Sequence, residues 1–185
     1  MTQPTTAPEL DAQRFPIGRF QRLDIDTPYS DAERTAFIER LALLPAHVAS
    51  AIDGLTDEDF ARPYRPGGWT VGQLVHHIAD SHANAYVRVK LGLTEDTPTI
   101  KPYDQDAWVA LADSALDPHV SLMMLTAVHA RLVAVVRAMT PAEFRRRLLH
   151  PENGPMTLDQ LVALYAWHGD HHVAHLEAYK AGRAG

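Results

Sequence analysis

Residues 157–180 read TLDQLVALYAWHGDHHVAHLEAYK, and this stretch decides the fold. Thr157 and Gln160 form a capping box, in which a hydroxyl serves the N3 amide and the N3 side chain returns to the N-cap amide. Beyond the cap, Leu161, Tyr165, His168, His172, Leu176 and Tyr179 recur at three and four residues, the period of an amphipathic helix. At 100° per residue, His168, His171, His172 and His175 lie at i, i+3, i+4 and i+7 and share one face. That face carries the apolar stripe, so the histidines point inward. Gly182 is placed to end the helix at C′.

The same start signals recur upstream. Ser30-Asp-Ala-Glu33, Thr70-Val-Gly-Gln73 and Thr140-Pro-Ala-Glu143 are capping boxes, and Asp117-Pro118 is an N-cap followed by proline at N1. Those at Ser30, Thr70 and Asp117 precede helical patterns over Ala36–Ile52, Thr70–Gly92 and Leu122–Met139. Pro45 lacks an N–H and is expected to break or kink the first. No period-two alternation is visible, so no sheet is expected. The prediction is an all-α, four-helix bundle with long loops and short extra helical turns. Segments 53–69 and 93–116 exceed simple hairpin turns. A short turn is expected at Asp104–Val109, and the second loop is a candidate lid.

The chain has 185 residues, a length for one domain, which we place at 15–182 behind a mobile tail at 1–14. The tail lacks the basic and apolar regions of a signal peptide, and no run approaches 18 consecutive apolar residues. A cytoplasmic protein without a membrane partner is expected. Lys plus Arg is 17 against 23 Asp plus Glu, a net charge of −6, which argues against nucleic-acid binding. The absence of cysteine excludes disulfides, thiolate nucleophiles and thiolate metal sites. Any metal must rest on nitrogen and oxygen.

Four inward histidines on one helix need an ion or protons to satisfy them, and a pair at i, i+4 reaches a single ion as in helical zinc motifs. A buried histidine bonded to a carbonyl or tyrosine is the competing reading. A third ligand must come from another helix, with His76, His77, His82 and His129 available. His77 lies at the edge of the apolar face beside Leu74 and Ser81. His76 points away and is expected to be solvated, while His82 and His129 read as core. Asp80 is a candidate second-sphere orienter or general base. Trp69 and Trp167 are candidate walls, and Arg88 reads as a solvated side chain or a contact for an anionic substrate.

Several stretches together carry a resemblance. They are Phe15-Pro-Ile-Gly-Arg-Phe20, Pro63-Tyr-Arg-Pro-Gly-Gly-Trp-Thr70, His76-His-Ile-Ala-Asp-Ser-His82, Lys101-Pro-Tyr-Asp104 and Tyr165-Ala-Trp-His-Gly-Asp-His-His172. In this order, from about residue 15 to 180, the chain resembles the DinB/YfiT-like family and, within it, the YfiT-type metal-dependent hydrolases. Phe15 stands where the family pattern suggests tyrosine. The resemblance implies a four-helix bundle, a cytoplasmic homodimer and one divalent ion per subunit, zinc or else nickel. It maps the ligands onto His77, His168 and His172, leaving His171 and His175 as neighbours. His171 then joins Asp80 as a candidate catalytic residue.

The implied substrate is a small molecule. Hydrolysis by water activated on the ion is the first reading. Relatives in the wider family imply a second, an S-transferase joining a low-molecular-weight thiol of the bacillithiol or mycothiol type to an electrophile. A third is a bundle in which the ion only pins helices, and a fourth is a partner-binding bundle with core histidines.

Overall fold

Each long helix begins where its cap requires. In the computed structural model, which describes residues 7–183, α2 (Asp31–Ile52) starts behind Ser30, whose hydroxyl accepts from the Glu33 amide while Glu33 returns to the Ser30 amide. Thr70 and Gln73 cap α4 (Val71–Thr94) in the same way, and Asp117 caps α6 (Pro118–Arg137). Thr157 and Gln160 cap α8 (Leu158–Arg183). Such caps contribute about 1 kcal/mol each.

The four long helices form the bundle. α2 packs on α6 and α8, and α4 packs on α6 and α8, so α2 and α4 occupy opposite corners, as do α6 and α8. The links α2→α4 and α6→α8 therefore cross the bundle diagonally. The first carries the single turn α3 (Asp57–Phe60). The second carries α7 (Pro141–Phe144) and a hairpin of β1 (Arg147–His150) and β2 (Gly154–Thr157). Between α4 and α6 lie α5 (Gln105–Val109) and a 3-10 turn at Ala112–Ala115.

Several expectations are corrected. The strands pair antiparallel, from Arg147 with Thr157 to His150 with Gly154. Their alternation spans only four residues each, too short to register against helical signals. His150 caps their turn, its Nδ1 accepting from the amides of Glu152 and Asn153. Pro45 does not break α2, which runs through it. Gly182 lies inside α8 rather than beyond its end. Where a tail was expected at 1–14, Ala7–Arg14 form the helix α1, and residues 1–6 lie outside the described residues.

The core is one apolar column in two parts. Leu41, Leu132, Leu158 and Leu161 lie in one, and Leu44, Val48, Leu74, Ile78 and Leu176 in the other. By length and composition α2 and α6 are each apolar enough to cross a bilayer; here their inner faces supply this core. α2 is fixed to the start of α8 by Arg34, whose Nε and NH2 reach both Asp159 oxygens at 2.9 and 2.7 Å. Gly169 lets α8 approach α2: a Cβ there would stand 2.7 Å from Leu44 Cδ2.

Candidate metal centre

The seam between α4 and α8 holds the site. On α4, the period that buries Leu74 and Ile78 also buries His77. On α8, His168 and His172 are one turn apart and project into the same seam. His77 Nε2 and His168 Nε2 are 3.3 Å apart, and the His172 ring lies 5.0 Å from His77 and 4.5 Å from His168. One ring nitrogen from each of the three lies within 4.8 Å of the others. A tetrahedral ion with bonds of about 2.0–2.1 Å to nitrogen has ligand–ligand edges of roughly 3.3–3.4 Å. The His77–His168 separation fits that edge, and an all-imidazole donor set suits zinc, copper, iron or nickel.

Burial keeps these rings neutral. Desolvation lowers His77 to about 4 against a small opposing pull from Asp106. It also depresses His168 and His172 well below the ordinary histidine range, with mutual repulsion among the rings adding to the effect. Their lone pairs are therefore free at neutral pH.

A cavity of about 360 Å³ reaches this cluster at His172 and is lined by Arg14, Tyr64, Arg65, Trp69 and His171 among others. Trp69 packs 4.8 Å from His77, and its Nε1 donates to Asp106 Oδ1 at 2.9 Å. Asp106 and Gln105 of α5 also line the cavity, so part of the 93–116 segment forms its wall. Trp167 stacks on His171 at 4.6 Å rather than on a predicted ligand, and the Phe15 ring lies 5.9 Å from that of His171. His171 Nδ1 is buried with no hydrogen-bond partner, and burial holds this ring at about 4. His175 donates through Nε2 to the Gln13 carbonyl at 3.0 Å. His171, His172 and His175 also lie close enough to hold an ion as a group.

Asp80 is half-buried beside Asp113 and His76. Desolvation, then Asp113, raises its carboxyl. No hydrogen bond joins that carboxylate to the three histidines among the described residues.

Two expectations fail. His76 is buried, bonded to Ser121 Oγ at 2.7 Å and the Leu116 carbonyl at 3.1 Å, because the 3-10 turn and the start of α6 cover that side of α4. Arg88 is buried too, donating to Tyr165 Oη at 2.7 Å and the Lys101 carbonyl at 3.0 Å, because the 98–103 segment folds over it.

Sequence reasoning placed Ser81 beside His77 but missed Tyr103 at the seam and the links from His82 and His129 to His168. Ser81 Oγ lies 3.5 Å from His168 Nε2, and the Tyr103 phenol, hydrogen-bonded to Ser81, is pushed up to about 12 by burial. His82 and His129 are buried as predicted, but they are bonded to each other and onward to His168. Helical spacing signals none of this, since the contacts join different helices.

The chain is 43% identical over 164 residues to the Bacillus subtilis (strain 168) protein named "Putative metal-dependent hydrolase YfiT", covering 88% of this chain and 90% of that one. A similarly named protein of Bacillus mycoides (strain KBAB4) is 42% identical over 167 residues, covering 90% and 95%. The solved structure of YfiT from Bacillus subtilis, described as a probable metal-dependent hydrolase with an unusual four-helix bundle topology, superposes with a TM-score of 0.89 at 40% identity. It covers 94% of this chain and 98% of that one. The family model of the DinB superfamily matches residues 31–176, and the chain, a four-helix bundle with a histidine cluster in its seam, belongs to that superfamily.

Proposed function

We propose that the chain is a metal-dependent hydrolase holding one divalent ion, zinc or else nickel, on His77, His168 and His172. The observation that carries this reading is the convergence of three neutral imidazoles, two buried and one half-buried, from two helices, with His172 at the wall of a cavity. Three protein ligands leave a position open, as catalytic zinc sites do. When bound, the ion supplies Lewis acidity to a carbonyl or phosphoryl group and makes water a nucleophile at neutral pH.

The chain's own residues do the rest. Arg14 and Arg65 give the cavity a positive rim suited to an anionic small molecule. Trp69, tethered by Asp106, holds the His77 ring from one side. Of the two acid–base candidates, position favours His171, which lines the cavity and whose Nδ1 has no hydrogen-bond partner. Asp80 lies on the side of His76 and Asp113.

The test is tag-free purification, metal quantification by mass spectrometry, and assay with and without chelator. An ester and phosphoester panel runs beside a thiol-plus-electrophile conjugation. One equivalent of metal with chelator-sensitive hydrolysis is expected. Chelator-sensitive conjugation alone would replace hydrolysis by S-transfer. A full equivalent with neither activity would reduce the ion to pinning α4 on α8.

A further inference from the structure

A line of hydrogen bonds crosses the bundle behind the proposed ligands and touches all four long helices. His168 Nδ1 on α8 meets His82 Nε2 on α4 at 3.3 Å. His82 Nδ1 meets His129 Nε2 on α6 at 3.0 Å. His129 Nδ1 meets the Leu41 carbonyl on α2 at 2.6 Å. His82 and His129 are almost wholly buried, at 0% and 2% exposure, so these bonds have no solvent to replace them.

The far end of the line has one polarity. A carbonyl only accepts, so His129 carries its proton on Nδ1 and, being neutral, accepts at Nε2. His82 must then donate from Nδ1 and accept at Nε2. His168 in turn donates from Nδ1, which leaves its Nε2 with a bare lone pair. That is the atom facing His77 Nε2.

The Leu41 carbonyl lacks its helical donor because of Pro45. In an α-helix the carbonyl of residue 41 accepts from the N–H of residue 45. Pro45 has no N–H, and its ring crowds the same carbonyl. The His129 imidazole supplies the missing donor. The other α8 ligand has a shorter line of the same kind. The Gln13 carbonyl, in the last turn of α1 where helical donors run out, accepts from His175 Nε2 at 3.0 Å. His175 Nδ1 stands 3.4 Å from His172 Nδ1, which assigns the His172 lone pair to Nε2.

We propose that Pro45, by freeing the Leu41 carbonyl, sets the tautomers of His129, His82 and His168 in series, so that His129 and His82 act as positioning residues that aim the His168 Nε2 lone pair at the metal centre. The metal part of this inference rests on the reading given under Proposed function; the tautomer part does not. Outer partners of ligating histidines typically change metal affinity by about 10- to 100-fold.

The test has two arms. Nitrogen-15 NMR of histidine-labelled, metal-free protein reads each tautomer directly. Nδ1–H is expected on His129, His82 and His168, and Nε2–H on His175. In the second arm, zinc affinity is measured by competition with a chromophoric chelator. His129→Leu should bind zinc about 10- to 100-fold more weakly than the unaltered protein. Pro45→Ala, which returns an N–H to Leu41, should weaken zinc binding while leaving thermal stability equal or higher, a combination that loss of structure would not produce. An Nε2–H tautomer on His129 or His82, or unaltered zinc affinity in a folded His129→Leu, overturns the proposal. If His129→Leu fails to fold, the tautomers decide it. The expected tautomers in a protein that takes up no zinc would keep the hydrogen-bond line and remove the metal reading instead.

Discussion

His77 Nε2 and His168 Nε2 face each other at 3.3 Å across the seam between α4 and α8. Two imidazole lone pairs at that distance repel unless a proton or a cation lies between them. This contact sets the first expectation. His77→Ala, His168→Ala and His172→Ala should each retain less than about a tenth of the metal held by the parent protein, read by mass spectrometry after tag-free purification. A full equivalent in any of the three would remove that residue from the ligand set.

Stability of the metal-free protein should fall as pH drops from about 6.5 toward 4. Burial lowers His77 and His171 to about 4 in the folded chain, against about 6.5 when unfolded. Between those values the unfolded chain binds more protons, so the equilibrium moves toward unfolding as pH falls, and the stabilisation is fully present above about 6.5. His77 by itself accounts for roughly 3 kcal/mol over this interval. Urea unfolding at stepped pH measures it, and a flat profile from pH 7 to 4 would contradict it.

Removing half of the buried Arg34–Asp159 pair should be costly. Asp159 is 1% exposed and accepts from Arg34 at both oxygens and from the Tyr29 amide. Asp159→Ala leaves the buried Arg34 guanidinium with only the exposed Asp31 carboxylate and should cost about 3–5 kcal/mol. Arg40–Asp170, also between α2 and α8 but a third exposed, should cost under about 1 kcal/mol. Chemical denaturation of the two variants gives the comparison, and equal losses would show that burial is not the deciding factor.

Gly169→Ala should destabilise by about 1–3 kcal/mol, because its methyl would meet the fully buried Leu44 side chain at 2.7 Å. Trimming the obstacle in Gly169→Ala/Leu44→Ala should make the double variant more stable than the sum of the single losses predicts. Strict additivity in thermal melts would show that the two residues do not limit the approach of α8 to α2.

Much was legible before any coordinate. The capping boxes at Ser30, Thr70 and Thr157 start three of the four long helices in the structure, because a cap is a local hydrogen-bond pattern written within four residues. The i, i+4 spacing of His168 and His172 was equally plain, and His77 was favoured over His76 by its place on the apolar face. What failed was what distant segments decide. His76 and Arg88 looked solvated until the 3-10 turn and the 98–103 segment covered them. Four-residue strands gave too few alternations to be seen.

By itself, then, the sequence determined the helices, their inward histidine stripe and the nitrogen-only donor set, since propensity, capping and side-chain period act within a few residues of chain. The tertiary structure alone decided that α2 and α4 sit on opposite corners, and that His82 and His129 join His168 to the carbonyl left free by Pro45. Those contacts span 47 to 88 residues of chain. No local period encodes them; they exist only once packing has brought four helices within hydrogen-bond reach of one another.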